Sequence, residues 1–402
     1  MLGFKKVIKK VSSKYDFFPS EIMQNISSRI ENRLTIRMDN YDRMNREIRK
    51  EVLIQLNKIL AFKSNYDFWS YEREFGKKFA KYCCNKFGIG TNSGTAALQF
   101  ALISSGIKEN DEVITVPNTF VASALAISNI GARPVFVDIN PETYTIDISQ
   151  IEEAMTENTK AIMPVHLFGQ VCDMKSIGKI ARKHGLKIVE DCAQAHGAAY
   201  KNKKVPTEGL GCFSFFTSKI LGGLGNGGII VTNDRKIRRS AEILRDPLAN
   251  DSLLILSKRT PCYLDSVQIA FLNAKLPFLE KWIEKRRNNA KLYNEILEKT
   301  DIIIPVEEKK TKHCYHSYII RTKKRDKLKR FLFKHRIETR IEYELPIHLT
   351  KSFQYLGYKE GNFPIVEQCN RDTLSLPINQ FLKEYEITKV ASLIKLFCNK
   401  NY

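Results

Sequence analysis

The sequence predicts an α/β protein with a mostly parallel sheet and flanking helices, followed by a smaller α+β domain. Short apolar runs alternate with helical patterns between about residues 110 and 231, as in parallel-sheet proteins, and the pattern becomes mixed beyond about residue 300. The chain has 402 residues, 43% of them hydrophobic, which is enough for a large core and more than one structural unit. We expect a basic N-terminal extension over 1–36, a large α/β domain over 37–262, and a linking helix with the small domain over 263–402.

The chain begins with a basic, weakly amphipathic segment over residues 1–35. Such a segment is either an ordinary surface helix or one that rests on an anionic membrane surface. Residues 41–87 follow, with apolar side chains recurring every three or four positions, which predicts helices.

The central region alternates strands and helices. Predicted strands cover 113–116, 134–137, 161–165, 187–190, 214–216 and 228–231. Predicted helices cover 96–102, 119–130, 149–157 and 173–184. A polar connection over 235–262 and a long amphipathic helix over 264–298 come next. The smaller domain is predicted to contain a strand over 315–321, a helix over 325–335, a segment over 337–343 and a final helix over 383–398.

Residues 88–95 form a glycine-rich stretch that leads into a strong helix-forming run. A helix N-terminus presents unpaired backbone N–H groups and the positive end of its dipole, so it can bind phosphate. Its G-x-G-x-x-x-G spacing matches neither the dinucleotide fingerprint nor a P-loop. A plain N-cap is the alternative interpretation of this helix start.

A second glycine-rich stretch follows Lys219, with five glycines among residues 222–228. Because glycine has no side chain, a cofactor or another chain can approach the backbone closely at these positions. A lysine that loses hydration here has a lowered pKa, and its neutral amine can form a Schiff base with a carbonyl compound. The alternative is a solvated surface lysine. We expect the loops at 91–95, 191–194 and 214–219 to lie at or just after strand ends, at the edge of a parallel sheet where ligands bind.

The net charge of +21 would favour binding of an anionic small substrate. The sequence contains no helix-turn-helix, zinc-finger or RNP-type motif that would indicate nucleic-acid binding. The nine cysteines include no CxxC pair, and no second cluster joins His313, Cys314 and His316 to complete a metal site. We therefore expect no metal and no nucleic-acid partner. We expect reduced thiols in a cytoplasmic protein without a transmembrane segment.

Three segments taken together, 90–98, 189–198 and 213–219, resemble the pyridoxal-phosphate-dependent nucleotide-sugar aminotransferases of the DegT/StrS family, which have fold type I. The resemblance covers about residues 37–398. It is supported by matching segments at 116–122, 134–138, 164–169, 264–268, 346–348 and 374–377.

The resemblance implies two catalytic residues. Lys219 would hold pyridoxal 5'-phosphate as a Schiff base and carry a proton, and Asp191 would keep the ring nitrogen of the cofactor protonated. The cofactor-binding residues that it implies are Gly94, Thr95 and Ser214 at the phosphate, Phe120 on the ring face, and Gln194 near the ring hydroxyl. Candidate sugar contacts are His166, His316 and His348, with structural histidines as the alternative.

The activity implied by the resemblance is transfer of an amino group from an amino acid, such as L-glutamate, to a nucleotide-linked keto-deoxysugar by a homodimer. A related sugar dehydratase and an inactive regulatory or sugar-binding homologue are the alternatives; the dehydratases carry histidine where this chain has Lys219. Three departures from the family pattern are the segment 261–263, which replaces Asn-x-Arg, Asn226 in the glycine loop, and Glu342 in place of a frequent histidine.

Overall fold

The computed structural model describes residues 36–246 and 261–400. The basic extension predicted for 1–36 lies outside these ranges, apart from its last residue, as does part of the connection predicted for 235–262. The chain opens with α1 (Tyr41–Leu60) and α2 (Asn65–Tyr82). Ile48 and Val52 on α1 are buried against Ala274 and Trp282 further along the chain, which confirms the predicted helical periodicity in this region.

The large unit is built on a seven-stranded sheet whose order is β1-β9-β8-β5-β4-β2-β3. Only β9 among these strands runs antiparallel to its neighbours, so the sheet is mostly parallel, as predicted. Its strands are β1 (Phe87–Thr91), β2 (Glu112–Thr115), β3 (Arg133–Phe136), β4 (Thr159–Ile162), β5 (Lys187–Asp191), β8 (Leu210–Ser214) and β9 (Gly228–Thr232). Two short strands, β6 (Ala199–Tyr200) and β7 (Lys203–Lys204), form a separate small sheet with β10 (Thr311–Lys312).

Helices cover the faces of this sheet. They are α3 (Gly94–Ser104), α4 (Ala122–Ser128), α5 (Met174–His184) and α6 (Arg235–Arg245). Helix α3 is apolar almost all round and buried between sheet and neighbouring helices, whereas α5 is amphipathic and ends at Gly185 in the left-handed conformation that favours glycine.

The C-terminal part begins with α7 (Ser266–Lys275) and α8 (Leu279–Leu297) and continues with β11 (Tyr318–Arg321), α9 (Arg325–Lys334), α10 (Pro364–Asp372), β12 (Thr373–Leu376) and α11 (Glu384–Asn399). Strands β11 and β12 pair antiparallel, and the helices α8, α9 and α11 enclose a second hydrophobic core beside them. Ile36 also belongs to this core, because residues 36–38 lie along the C-terminal part. Residues 347–369 instead contribute Phe353, Phe363 and Val366 to the core of the large unit.

Several predicted elements are wrong, each for a local reason. The helix predicted over 149–157 is only the 3-10 turn Ile148–Gln150, because its apolar side is limited to a few positions around Ile151. Residues 87–91, predicted as a turn, form the edge strand β1, whose Gly88 touches the backbone of Gly76 on α2. Glycine has a weak strand propensity, so the residues of β1 do not indicate a strand in the sequence.

Two further differences concern helices. The helix predicted over 264–298 is divided by the 3-10 turn Leu276–Phe278, because Pro277 cannot donate the backbone hydrogen bond of a continuous helix. Part of the predicted polar connection is the regular helix α6, capped by Asp234, whose carboxylate accepts hydrogen bonds from the N–H groups of Lys236 and Ile237. Among the described helices, none is both long and apolar enough to cross a bilayer.

Candidate active site

A cavity of about 420 Å³ lies where the carboxyl ends of the parallel strands meet the C-terminal part of the chain. One side, which we call the sheet wall, consists of cavity-lining residues from 93–95, 119–123, 191–194 and 214–219. The opposite side, which we call the C-terminal wall, consists of Arg286, His316, Ser317, Arg340, Glu342, Tyr343 and Ile378. The structure thus brings together the three loops that the sequence places after strands.

The N-terminus of α3 forms one end of the sheet wall. Ser93 is its N-cap, and its hydroxyl accepts a hydrogen bond from the N–H of Ala96 at 3.2 Å. Within the described ranges, the N–H groups of Gly94 and Thr95 have no acceptor. Both residues line the cavity. Unpaired donors at the positive end of a helix dipole provide a site for an anion such as phosphate.

Asp191 lies at the end of β5, in the floor of the cavity, and is only 4% exposed. One carboxylate oxygen accepts a hydrogen bond from the Ser123 hydroxyl at 2.7 Å, and the other accepts from the N–H of Ala193 at 3.0 Å. Ser123 is in turn held 3.0 Å from the Thr119 hydroxyl. These bonds fix the orientation of the carboxylate and leave lone pairs for a further donor in the cavity.

Lys219 follows the end of β8 in a tight turn, where its N–H donates to the carbonyl of Phe216 at 2.8 Å. Its side chain lines the cavity, and among the residues that the structure describes its amine has no hydrogen-bond or ion-pair partner. Burial lowers the pKa of this amine, while the charges of Asp191 and Glu342 act in the opposite direction. The result is an amine that loses its proton more easily than a solvated lysine, as a nucleophile requires.

The glycine loop after Lys219, residues 222–228, is held in place by two side chains of α7. Lys275 donates to the carbonyl of Gly222 at 2.6 Å, and the side-chain oxygen of Gln268 accepts from the N–H groups of Leu224 and Gly225. Lys275 is almost fully buried, and burial lowers its pKa to about 8. These bonds position the loop, and with it the turn that carries Lys219.

Gln194 and Phe120 also line the cavity. The Gln194 side chain accepts from the N–H of Phe168 at 2.8 Å and donates to the hydroxyl of Tyr343 at 2.9 Å, so it links the two walls. Phe120 is 61% exposed, with its ring available to a planar ligand. Ser214, also in the lining, has its hydroxyl 3.3 Å from the N–H of Phe216.

Of the three histidines expected at the sugar, only His316 lines the cavity. His166 is fully buried and bonded to Glu190 at 3.0 Å and to the N–H of Cys172 at 3.2 Å. His348 is also buried, 3.1 Å from Glu367. The structure therefore places His166 and His348 in internal pairs, the structural alternative considered for them, and their expected contact with the sugar is corrected on this ground.

His166, Glu190 and Cys192 are grouped closely enough to ligate a metal. However, the Glu190 carboxylate already accepts hydrogen bonds from the N–H groups of residues 207–209 as well as from His166. Burial also raises the pKa of the Cys192 thiol well above its ordinary value, which disfavours the thiolate that a metal needs. His166 and Glu190 are thus a buried hydrogen-bonded pair next to Asp191, whose carbonyl accepts from the N–H of His166 at 3.0 Å.

Sequence reasoning missed much of the C-terminal wall. It gave no role to Arg286, Arg340 or Tyr343, and it noted Glu342 only as a departure from the family pattern. These residues come from separate segments whose meeting depends on tertiary packing. Ser123 was also missed, although its position one turn after Phe120 at the start of α4 is a signal that it faces the same cavity.

The residues of the sheet wall fit pyridoxal phosphate. The unpaired N–H groups at the start of α3 suit its phosphate, the oriented Asp191 suits a protonated ring nitrogen, and the unpartnered Lys219 amine suits its aldehyde. A side chain at Gly94 would contact Ser214 Cβ at 2.9 Å, so the close approach of these loops depends on glycine there.

Comparison with known proteins places these features among sugar aminotransferases. The DegT/DnrJ/EryC1/StrS aminotransferase family model matches residues 46–395. A dTDP-3-amino-3,6-dideoxy-alpha-D-galactopyranose transaminase from Aneurinibacillus thermoaerophilus is 38% identical over 88% of this chain and 97% of its own length. A pleiotropic regulatory protein from Geobacillus stearothermophilus is 40% identical over 87% of this chain and 96% of its own. The crystal structure of S. venezuelae DesV with a ketimine intermediate has a TM-score of 0.85 and 32% identity, covering 91% of this chain and 98% of DesV.

Proposed function

The chain belongs to the DegT/DnrJ/EryC1/StrS aminotransferase family, and on this premise we propose that it moves an amino group from an amino acid to a nucleotide-linked keto-deoxysugar in amino-sugar biosynthesis. The observation that carries the proposal is that the Lys219 amine, without a partner in the described part of the chain, lines the same cavity as the oriented Asp191 carboxylate. Pyridoxal phosphate is the cofactor, and relatives named as sugar transaminases support the substrate class.

When bound, the cofactor accepts the amino group and stabilises the negative charge that develops on the reacting carbon. The protein residues have three tasks around it. The start of α3 would bind the phosphate through the N–H groups of Gly94 and Thr95. The Asp191 carboxylate would accept a hydrogen bond from the protonated ring nitrogen, and the Ser123 hydroxyl holds this carboxylate in place.

Lys219 is the group that moves protons. Because burial lowers the pKa of its amine, more of this side chain is neutral and able to take a proton from the reacting carbon, and its protonated form returns the proton more readily than an ordinary lysine. Phe120, which lines the cavity, would cover one face of the ring.

A regulatory or sugar-binding role without catalysis is the second candidate, because one relative is named a pleiotropic regulatory protein. The site of the present chain favours catalysis over this role. Binding alone requires neither an amine of lowered pKa nor a buried carboxylate held by two hydrogen bonds. A dehydratase is disfavoured by the lysine at position 219, since the related dehydratases carry histidine there.

L-Glutamate as the amino donor, assembly as a homodimer and location in the cytoplasm are further parts of the proposal. Exposed apolar side chains close to the cavity support a homodimer. Phe216 and Leu224 are 49% and 59% exposed, and a second subunit would cover such side chains.

The test is a panel of dTDP-, UDP- and GDP-linked keto-deoxysugars, each incubated with holoenzyme and L-glutamate, with amino sugar and 2-oxoglutarate quantified by mass spectrometry. We expect at least one substrate to give both products in equal amounts. Lys219→Ala should lower the rate by at least about 10³-fold while leaving the circular dichroism spectrum unchanged.

Lys281→Ala is the matched control, because this exposed lysine pairs with Glu47 away from the cavity. It should retain the wild-type rate. Amino-sugar formation at the normal rate by Lys219→Ala, or no product with any member of the panel, would contradict the proposed function.

A further inference from the structure

One acid on the C-terminal wall has no cation bonded to it. Glu342 is partly buried and lines the cavity, and its Oε1 accepts a hydrogen bond from the Ser317 hydroxyl at 3.3 Å. Among the residues that the structure describes, Oε2 accepts no hydrogen bond and no lysine or arginine forms an ion pair with this carboxylate. Arg340, which lines the same cavity, has its ion-pair contact of 3.5 Å with Asp39 instead. The Glu342 carboxylate therefore has one oxygen available to a ligand.

Glu342 lies close to the amine that reacts. Its negative charge and that of Asp191 both oppose the lowering of the Lys219 pKa by burial. The next residue, Tyr343, accepts a hydrogen bond from Gln194 at 2.9 Å, which holds this segment against the sheet wall. A ligand group in contact with Glu342 would therefore lie near the carbon that reacts at Lys219.

The charge of Glu342 restricts which ligand group can bind there. A carboxylate accepts hydrogen bonds but does not donate them, and it repels other anions. It therefore disfavours the carboxylates of an amino-acid donor and the diphosphate of a nucleotide sugar. The neutral part of a keto-sugar nucleotide that reaches the reacting amine is the sugar ring, whose hydroxyl groups are hydrogen-bond donors. On that ring, the substituents closest to the keto carbon are those on the two neighbouring carbons.

We propose that Glu342 determines substrate specificity by accepting a hydrogen bond from a hydroxyl or N–H group on the ring carbon next to the keto carbon. This inference rests on the proposed transamination and narrows its substrate class. Keto-sugars that carry such a donor are preferred over those that are deoxygenated at this carbon. Because Glu342 is also a departure from the family pattern, the preference distinguishes this chain from relatives that carry histidine there.

The test compares keto-sugars that carry the nucleotide used by wild type and differ only at the carbon next to the carbonyl. The parent compound has a hydroxyl there, and its analogues have hydrogen, fluorine or an acetamido group. Fluorine is close to a hydroxyl in size but donates no hydrogen bond, whereas the acetamido group offers an N–H. The sugar half-reaction of the holoenzyme is followed by absorbance after L-glutamate has supplied the amino group. The intrinsic reactivity of each carbonyl cancels when a variant is compared with wild type on the same substrate.

Glu342→Ala should lower kcat/KM by about 10- to 100-fold for a substrate that carries the donor, the effect of losing one hydrogen bond to a charged group. For the hydrogen and fluorine analogues the change should be less than about threefold. A loss with the hydroxyl compound identifies a hydroxyl as the donor, and a loss with the acetamido compound identifies the N–H. Glu342→Gln keeps an accepting oxygen, so it should lose less, and it serves for the same comparison if Glu342→Ala does not fold.

Glu344→Gln is the matched control, because Glu344 is an exposed acid two residues further on that does not line the cavity. This variant should resemble wild type with all four substrates. The L-glutamate half-reaction should not slow in Glu342→Ala, since the lost carboxylate repels the carboxylates of this donor.

Three results would overturn the assignment. An equal loss with all four substrates would make Glu342 a general support of the site. An equal slowing of the L-glutamate and sugar half-reactions would show that it acts only through its charge on Lys219. Unchanged kcat/KM in both Glu342 variants would show that it does not contact the sugar. Each of these can occur while wild type transaminates normally, whereas failure of the proposed function would appear as no turnover of any keto-sugar by wild type.

Discussion

The two walls of the cavity differ in how their charges are satisfied. On the sheet wall, the Asp191 carboxylate receives hydrogen bonds on both oxygens, and its partner Ser123 is itself held in place. Among the residues that the structure describes, Arg286 on the C-terminal wall is bonded only to neutral oxygens, and Arg340 has a distant contact of 3.5 Å with Asp39. The carboxylate of the sheet wall is therefore fixed within the protein, whereas the Lys219 amine on the same wall and the arginines of the C-terminal wall remain available to ligands.

This difference corresponds to what each wall binds. A cofactor that stays in place through every turnover is best served by groups whose orientation does not change, because fixed dipoles need no reorganisation. Two substrates that bind in turn require protein groups whose charge is neutralised by the bound substrate. Damage to the sheet wall should therefore impair both half-reactions, while damage to the C-terminal wall should affect one substrate more than the other.

The largest loss of activity is expected from Asp191→Asn. The amide can no longer compensate a positive charge on the cofactor ring, so both half-reactions should slow by at least about 10²-fold. Ser123→Ala, which removes only the hydroxyl bonded to Asp191, should slow both by about tenfold. Single-turnover absorbance kinetics measure each half-reaction. A loss confined to one half-reaction in Asp191→Asn would contradict the assignment of the sheet wall to the cofactor.

A smaller effect is expected from Gly228→Ala. The new Cβ would lie 2.7 Å from the backbone nitrogen of Gly94 and would also overlap the carbonyl of Ser93, so the start of α3 must move. We expect a loss of about 1–3 kcal/mol in the free energy of unfolding, together with weaker cofactor binding. Denaturant titration and cofactor titration measure these changes.

Gly225→Ala is the control within the same loop, because its nearest neighbour would be the flexible side chain of Gln268 at 3.3 Å. It should change the stability by less than about 1 kcal/mol. Equal cofactor affinity in Gly228→Ala and wild type would show that the N-terminus of α3 does not bind the phosphate.

The smallest effect concerns stability in acid. His196 and His313 are both buried, and burial lowers the pKa of each imidazole to about 3. Between pH 6.5 and 3 the unfolded chain binds protons on these rings that the folded chain does not, so stability falls as the pH falls. At pH 5 each histidine should cost about 2 kcal/mol relative to neutral pH.

The free energy of unfolding measured between pH 7 and 5 for wild type and His313→Gln tests this expectation. The variant should lose less stability than wild type over this range, by about 2 kcal/mol. Parallel curves for the two proteins would mean that His313 is not held neutral in the folded state.

The sequence predicted the sheet wall better than the C-terminal wall, for a physical reason. Lys219, Asp191 and the Ser93–Thr95 helix start each follow a strand within a few residues, and parallel strands bring their carboxyl ends to one edge whatever the loops contain. Their meeting therefore follows from local patterns. Arg286 instead lies mid-helix. Its apolar neighbours at helical spacing, Ile283 and Ala290, indicate that it is buried, but not which distant segments it meets.

His166 and His348 show that local sequence patterns can also suggest ligand contacts that tertiary packing does not produce. His166 and His348 lie in segments that match the family pattern, yet each is bonded to a glutamate from a distant element, Glu190 and Glu367 respectively. Residue type and motif position predicted ligand contact, whereas the packing of those glutamates placed the rings in the interior. The roles of the remaining site residues stay predictions that the variants above can test.

The most direct test of the central claim is to locate the lysine that carries the cofactor. Holoenzyme is reduced with borohydride, digested, and analysed by mass spectrometry for a pyridoxyl-modified peptide. We predict that the modification lies on Lys219 alone and is absent from Lys275, which donates to Gly222 beneath the glycine loop. Modification of Lys275 or another lysine, or none at all, would contradict the account.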